Sequence, residues 1–243
     1  MGSTARTADV ARLGIAAELL DDMHFAARCL VKRTGSHYGH VAARVPGREQ
    51  FVLQYLRPPL DAASDYDELL RFDMNGARLE GKRGSPNEIH IYAEAFKSNP
   101  GWNAVIHAHP EMAIVLSVAG IPLRAIDQQS RWFIEPVPIY PNATSAETPE
   151  IGRELARLMQ TNRAVTMRGH GIVVAGETLK EAFARAWIYE RTARLLVKAR
   201  SLGDVTYLNA EDVRLSPPDQ ANSAVWLWAY LKWKERRDGA AGK

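Results

Sequence analysis

Apolar residues recur at Leu13, Ala17, Leu20, Ala27 and Leu30, with His24 in the same register. That spacing of three and four predicts one amphipathic helix over residues 10–31. Lys32-Arg33-Thr34-Gly35-Ser36 ends it. Residues 40–45 and 51–55 read as short strands joined through Pro46-Gly47. A Pro- and acid-rich loop follows. Residues 69–73 and 77–80 then flank Asn75-Gly76, a pair suited to the left-handed backbone of a tight hairpin. Pro86-Asn87-Glu88 opens a second helix over 87–97, with Asn87 or Ser85 as cap and Asn99-Pro100-Gly101 as stop. Further along, 104–108, 164–168 and 171–175 are predicted as strands, and 110–119, 147–160, 178–201 and 218–236 as helices. Hairpins interleaved with helices imply an α/β domain whose sheet is largely antiparallel and helix-covered. This domain is expected over residues 10–215, after a flexible segment at 1–9 and before a C-terminal aromatic helix and basic tail at 216–243.

Composition narrows the field. With 243 residues, 46% hydrophobic and 24% charged, the chain has the make-up of a folded globular protein. Its 31 Lys and Arg against 28 Asp and Glu are too evenly balanced to suggest a nucleic-acid partner. No apolar run approaches the ~20 residues needed to cross a bilayer, and residues 1–11 hold no apolar leader core, so a cytoplasmic protein is expected. The single cysteine, Cys29, excludes an internal disulfide and any multi-cysteine metal site. A metal centre here would have to be built from His, Asp and Glu.

Three of the seven histidines suit that role. In Val105-Ile106-His107-Ala108-His109-Pro110 the His-x-His falls at a strand end, where a period of two puts both imidazoles on one face. His170 stands in Arg168-Gly169-His170-Gly171, where glycines leave the ring unobstructed. Three histidines with an open position suit a catalytic divalent metal. Glu88 lies at a helix start, where the macrodipole favours its ionised form, and can serve as acid or base beside such a metal. Taken singly, each has an ordinary alternative: a solvent-facing turn histidine, or a helix-start acid.

The ordered set Asn87-Glu88, His107-Ala108-His109-Pro110 and Arg168-Gly169-His170-Gly171, with Gly39-His40-Val41-Ala42-Ala43-Arg44 upstream, resembles the signature of the class II aldolase/adducin family. The resemblance spans roughly residues 10–200. It implies a three-layer α/β/α sandwich around a largely antiparallel sheet. It also implies one divalent metal per subunit (Zn, Mn, Mg or Fe) held by His107, His109 and His170, with Glu88 as catalytic acid/base. A homotetramer with active sites at subunit interfaces is expected on the same ground.

The chain departs from the sugar-phosphate members of that family where they hold phosphate. His40 occupies the asparagine position, no Thr-Pro-Ser-Gly-like turn is present, and Pro86-Asn87 replaces a Ser-Ser pair before the glutamate. Proline also removes a backbone N–H that a phosphate would use. In place of the cradle stand His37, Tyr38, His40 and Arg57, while Arg131-Trp132-Phe133 offers a further cation beside aromatics. Such groups suit a planar carboxylate. Loss of the cradle with retention of the histidines and Glu88 resembles the metal-dependent hydroxy-aromatic decarboxylases, acting on dihydroxyphthalate or hydroxymethylpyridine-dicarboxylate. A lyase that decarboxylates a non-phosphorylated hydroxylated aromatic or heteroaromatic (di)carboxylic acid is therefore the expected function, with His40, His37, Arg57 and Asn87 as substrate contacts. An aldolase on a non-phosphorylated hydroxy acid or sugar, a non-catalytic adducin-like module and an iron-dependent oxygenase are the alternatives. At the C-terminus, Trp226, Tyr230 and Trp233 share a helix face, expected at a subunit interface.

Overall fold

The computed structural model describes residues 9–36, 38–56, 69–82 and 84–241. One eight-stranded sheet organises them. Its strands are β1 (Gly39–Arg44), β2 (Gln50–Tyr55), β3 (Leu70–Asp73), β4 (Arg78–Glu80), β5 (Ala104–Ala108), β6 (Ile139–Tyr140), β7 (Ala164–Met167) and β8 (Gly171–Gly176). They lie in the order β4-β3-β2-β1-β5-β8-β7-β6. Every neighbouring pair is antiparallel except β6 with β7, which is parallel.

Both faces of the sheet are covered, as its alternation requires. Val41, Ala43, Ile106, Ala108, Ile172 and Val174 face one way. Against them pack α1 (Ala17–Thr34), α3 (Glu111–Val118), α5 (Leu179–Arg200) and a 3-10 turn over Gln128–Phe133. Ala42, Phe51, Phe72, Val105, Val173 and Ala175 face the other way, under α2 (Ile89–Ser98) and α4 (Pro149–Leu158). The result is the expected three-layer α/β/α sandwich. Strands buried on both faces explain why β5 and β8 carry almost no polar positions.

Three differences from the sequence reading have local causes. The first predicted helix is interrupted: Gly14 adopts φ +67°, and α1 begins only at Ala17. A left-handed residue cannot continue a right-handed helix, so the uniform apolar spacing across residues 10–31 conceals a break. The short β6 and α6 (Ala210–Leu215) escape notice because neither is long enough to show a period. Finally, α2 is capped by Glu88, not Asn87 or Ser85, and the Glu88 side chain makes no capping bond. Its carboxylate is turned elsewhere, as described below.

The C-terminal α7 (Gln220–Ala241) is docked on its own chain through one face. Ala224, Trp228 and Leu231 are buried. Trp228 meets Phe25 of α1 and Phe183 of α5 edge-on at 4.7 and 5.1 Å between centroids. Lys232 pairs with Asp22 at 2.6 Å, and the buried Arg185 of α5 donates to the Gln220 side chain at 2.8 Å. Trp226, Tyr230 and Trp233 occupy the opposite face and are 71%, 53% and 47% exposed, so intrachain packing leaves the aromatic stripe uncovered. Among the described residues no helix is long and apolar enough to cross a membrane.

Candidate metal centre

The end of β5, the β7–β8 turn and the start of α2 converge at one end of the central strands. His107 is the penultimate residue of β5, on the face shared with Val105, and has no solvent exposure. Its Nδ1 donates to the Ile172 carbonyl of β8 at 2.9 Å, since a carbonyl can only accept. That bond orients the ring and leaves Nε2 for the site. His109 follows the strand, its Nε2 2.8 Å from that of His107. His170 arrives from the turn between β7 and β8, which is tied to α3 by Gly169 N–H donating to Ser117 Oγ at 2.9 Å. The three ring centroids form a triangle with sides of 4.7, 4.8 and 5.1 Å.

Glu88 closes the cluster. Its Oε2 lies 3.2 Å from His107 Nε2 and its Oε1 3.3 Å from His170 Nε2, while Ala146 N–H reaches Oε1 at 3.4 Å. One ligating atom from each of the four residues falls within 4.8 Å of all the others. Burial opposes the charge on Glu88. The hydrogen bond and charge of His107, then His170 and the Ala146 N–H, outweigh it and hold the carboxyl at about 2. Ionisation of Glu88 was anticipated from its place at a helix start; the histidines are what hold it. Burial, with His107 and His170 nearby, pulls His109 down to about 3 despite the pull of Glu88. His170 is lowered by burial and His107, against Glu88 and the Thr144 backbone.

The donor set fits a divalent cation. His109 is neutral near pH 7, and a carboxylate and ring nitrogens that offer lone pairs crowd a space a few ångströms across. A cation would displace the proton that His107 Nε2 shares with Glu88 and take its place among these groups, and imidazole with carboxylate suits zinc, manganese or iron.

A cleft of about 390 Å³ opens onto the cluster, walled by Tyr38, His40, Tyr55, Pro86, Asn87 and Ser145. Tyr38 is 57% exposed and stacks on His109 at 5.9 Å. Of the expected substrate contacts, His40 and Asn87 thus line the cleft, while His37 and Arg57 lie outside the described residues. Arg131, Trp132 and Phe133 are not at this cleft. Trp132 and Phe133 are buried in the core, and Arg131 lines a separate groove with Trp226 and Tyr230. Ser145 and Tyr55 were not anticipated. Ser145 sits in an aperiodic loop without signal, whereas Tyr55, cross-strand from His40 on a half-buried strand end, was within reach of the pairing rules.

Residues 23–197 match the family described as Class II Aldolase and Adducin N-terminal domain. The chain belongs to this family. Among curated relatives it is 27% identical over 178 residues to a 3,4-dihydroxyphthalate decarboxylase of Arthrobacter keyseri, covering 68% of this chain and 71% of that one. To the enzyme of the same name in a Terrabacter strain it is 28% identical over 193 residues, covering 74% and 80%. Among solved structures, an L-fuculose 1-phosphate aldolase superposes with a TM-score of 0.71 at 23% identity, over 82% of this chain and 94% of that one. That likeness establishes the shared fold. Membership with decarboxylase and aldolase relatives supports a lyase whose His and Glu cluster can bind a divalent metal.

Proposed function

We propose that this protein decarboxylates a hydroxylated aromatic or heteroaromatic (di)carboxylic acid, with a divalent metal on His107, His109 and His170 and with Glu88 as acid/base. The observation that carries the reading is the coupling of that cluster to a cleft walled by Tyr38, His40 and Tyr55, with Pro86 at the glutamate's helix start. Likeness to dihydroxyphthalate decarboxylases supports the same class.

A divalent cation held there supplies Lewis acidity toward the oxygens of an adjacent hydroxyl and carboxylate. The chain's own residues do the rest. Tyr38 and Tyr55 offer faces to the ring and exclude water. His40 and Asn87, with His37 and Arg57, are assigned to the substrate carboxylates. Glu88, ionised at neutral pH, accepts the hydroxyl proton. The bond between ring carbon and carboxylate then breaks, its electron pair remaining on the ring carbon. Glu88 returns the proton to that carbon, carbon dioxide leaves, and solvent restores the hydroxyl. We further propose a cytoplasmic homotetramer in which the exposed Trp226, Tyr230 and Trp233 meet a neighbouring subunit.

The test is elemental analysis of protein reconstituted with zinc, manganese, iron or magnesium, with carbon dioxide measured over a panel of hydroxylated aromatic dicarboxylates that includes 3,4-dihydroxyphthalate. One metal per chain and metal-dependent carbon dioxide release are expected. Aldehyde in place of carbon dioxide from hydroxy acids or sugars would make the protein an aldolase. No metal uptake under any condition would end the enzyme reading.

A further inference from the structure

A helix joins two of the three histidines of the cluster. His109 passes through Pro110, the N-cap of α3, directly into that helix. Near the other end of α3, Ser117 is fully buried. Its Oγ donates to the Ile114 carbonyl one turn back at 2.7 Å and accepts the Gly169 N–H at 2.9 Å. Both directions are fixed, because a carbonyl only accepts and a backbone N–H only donates. Gly169 directly precedes His170. So α3 starts at one histidine and ends against the turn that carries another.

The link is short and stiff at its α3 end. Just past Ser117 the Gly120 N–H reaches the Ser117 carbonyl and the Ile121 N–H the Leu116 carbonyl, at 3.1 and 2.9 Å, with Gly120 at φ +69°. That paired pattern locks a helix terminus. At the other end the turn is closed by His170 N–H donating to the Met167 carbonyl at 3.1 Å. Gly169 has φ +67° and Arg168 has no positive φ, the marks of a type II turn. The turn's own bond leaves the Gly169 N–H unused, and Ser117 takes it.

Hydrogen bonds carry the placement of this turn, since Arg168 and Gly169 are exposed and packing grips neither. Arg168 anchors the entry, its backbone N–H and its Nε donating to the Tyr140 and Pro141 carbonyls at 3.0 and 2.6 Å. The exit presses on β5. A Cβ at Gly171 would lie 2.4 Å from the Ala108 carbonyl oxygen and 2.9 Å from His109 Cδ2. Between entry and exit, Ser117 holds the residue next to His170.

We propose that α3 is a strut between two ligands of the metal, and that Ser117 is a positioning residue that fixes His170 against the cluster. The inference rests on the metal site of the function proposed above. Without the hydroxyl, the Gly169 N–H turns to water, which sets no position. His170 then approaches the cation from a loosened backbone, while His107 keeps its bond to the Ile172 carbonyl.

The test compares chelator-stripped full-length wild type with Ser117→Ala. Amide hydrogen exchange reads the link without metal, and the Gly169 N–H is expected to exchange about 10-fold faster in the variant. Titration with cobalt(II), followed by the visible absorption of the bound ion, reads the consequence. Ser117→Ala is expected to weaken cobalt about 10-fold and to change the shape and intensity of its bands. Placed on a His170→Ala background and titrated to millimolar cobalt, the same substitution is expected to change affinity less than about 2-fold, because it acts through that ring. Unchanged exchange, an unaltered cobalt spectrum, or equal weakening with and without His170 overturns the proposal. Wild type taking up no cobalt would refute the metal site, and the exchange measurement would still decide whether Ser117 holds the turn.

Discussion

Glu88→Gln tests the electrostatics of the site before any substrate is known. In the folded protein the Glu88 carboxyl falls from its ordinary 4.5 to about 2, with 13% of the side chain exposed. That depression corresponds to about 3 kcal/mol of stabilisation of the metal-free fold. The sign is that of a depressed acid. The contribution is complete above the unfolded value of 4.5 and is lost as pH falls from there through about 2, because the unfolded chain takes up the proton first. Urea unfolding of chelator-treated wild type and Glu88→Gln should show a gap of about 3 kcal/mol at neutral pH, shrinking to about 1 kcal/mol near pH 3. A gap that stays constant across that window would mean that the histidines do not hold Glu88 ionised. With metal restored, Glu88→Gln should keep one metal per chain and lose roughly 10²–10⁴ in kcat. Loss of metal together with activity would make Glu88 a ligand, and unchanged turnover would remove it from the chemistry.

Two further substitutions separate the site from its scaffold. At Gly39, with φ +115°, a Cβ would lie 2.3 Å from the His107 carbonyl oxygen, so Gly39→Ala should cost more than about 2 kcal/mol and weaken metal binding by displacing β5. A melting curve and a zinc titration check it, and unaltered zinc affinity would show that β1 does not position His107. Trp228→Ala removes a ring that is 4% exposed and lies between Phe25 and Phe183, and should cost about 3–5 kcal/mol in denaturant unfolding while leaving metal stoichiometry intact. A loss below about 1 kcal/mol would show that α7 is not anchored by its own chain.

Most of the sheet was legible from short-range signals. The hairpin at Asn75-Gly76 and the strands around Pro46-Gly47 form where turn chemistry places them, because those residues select backbone conformations on their own. The break at Gly14 was hidden because an apolar period records which residues face the core and is blind to a single left-handed residue. Residues 139–140 form a strand only because β7 supplies partners. In the site, His107 and His109 could be paired from their spacing, since two residues on one strand end need no tertiary knowledge. The neighbourhood of His170 and Glu88 could not. They are 82 residues apart in the chain, and the resemblance of the motif order, not geometry, joined them.

The sequence by itself determined the ligand types, since one cysteine left only histidine and carboxylate. It also determined the layer pattern, because period-two and period-3.6 runs must each bury an apolar face. Tertiary structure alone decided which proton sits where. Glu88 gives up its capping role to face His107 and His170, and Tyr92, 52 residues from His40, comes within 2.9 Å of that ring's Nδ1. It also decided that Arg131, aromatic neighbours notwithstanding, lies away from the cleft. Hydrogen-bond direction and ionisation depend on distances of a few ångströms and on exclusion of water. Both are properties of the packed sheet and its helices, and no local pattern of residues encodes them.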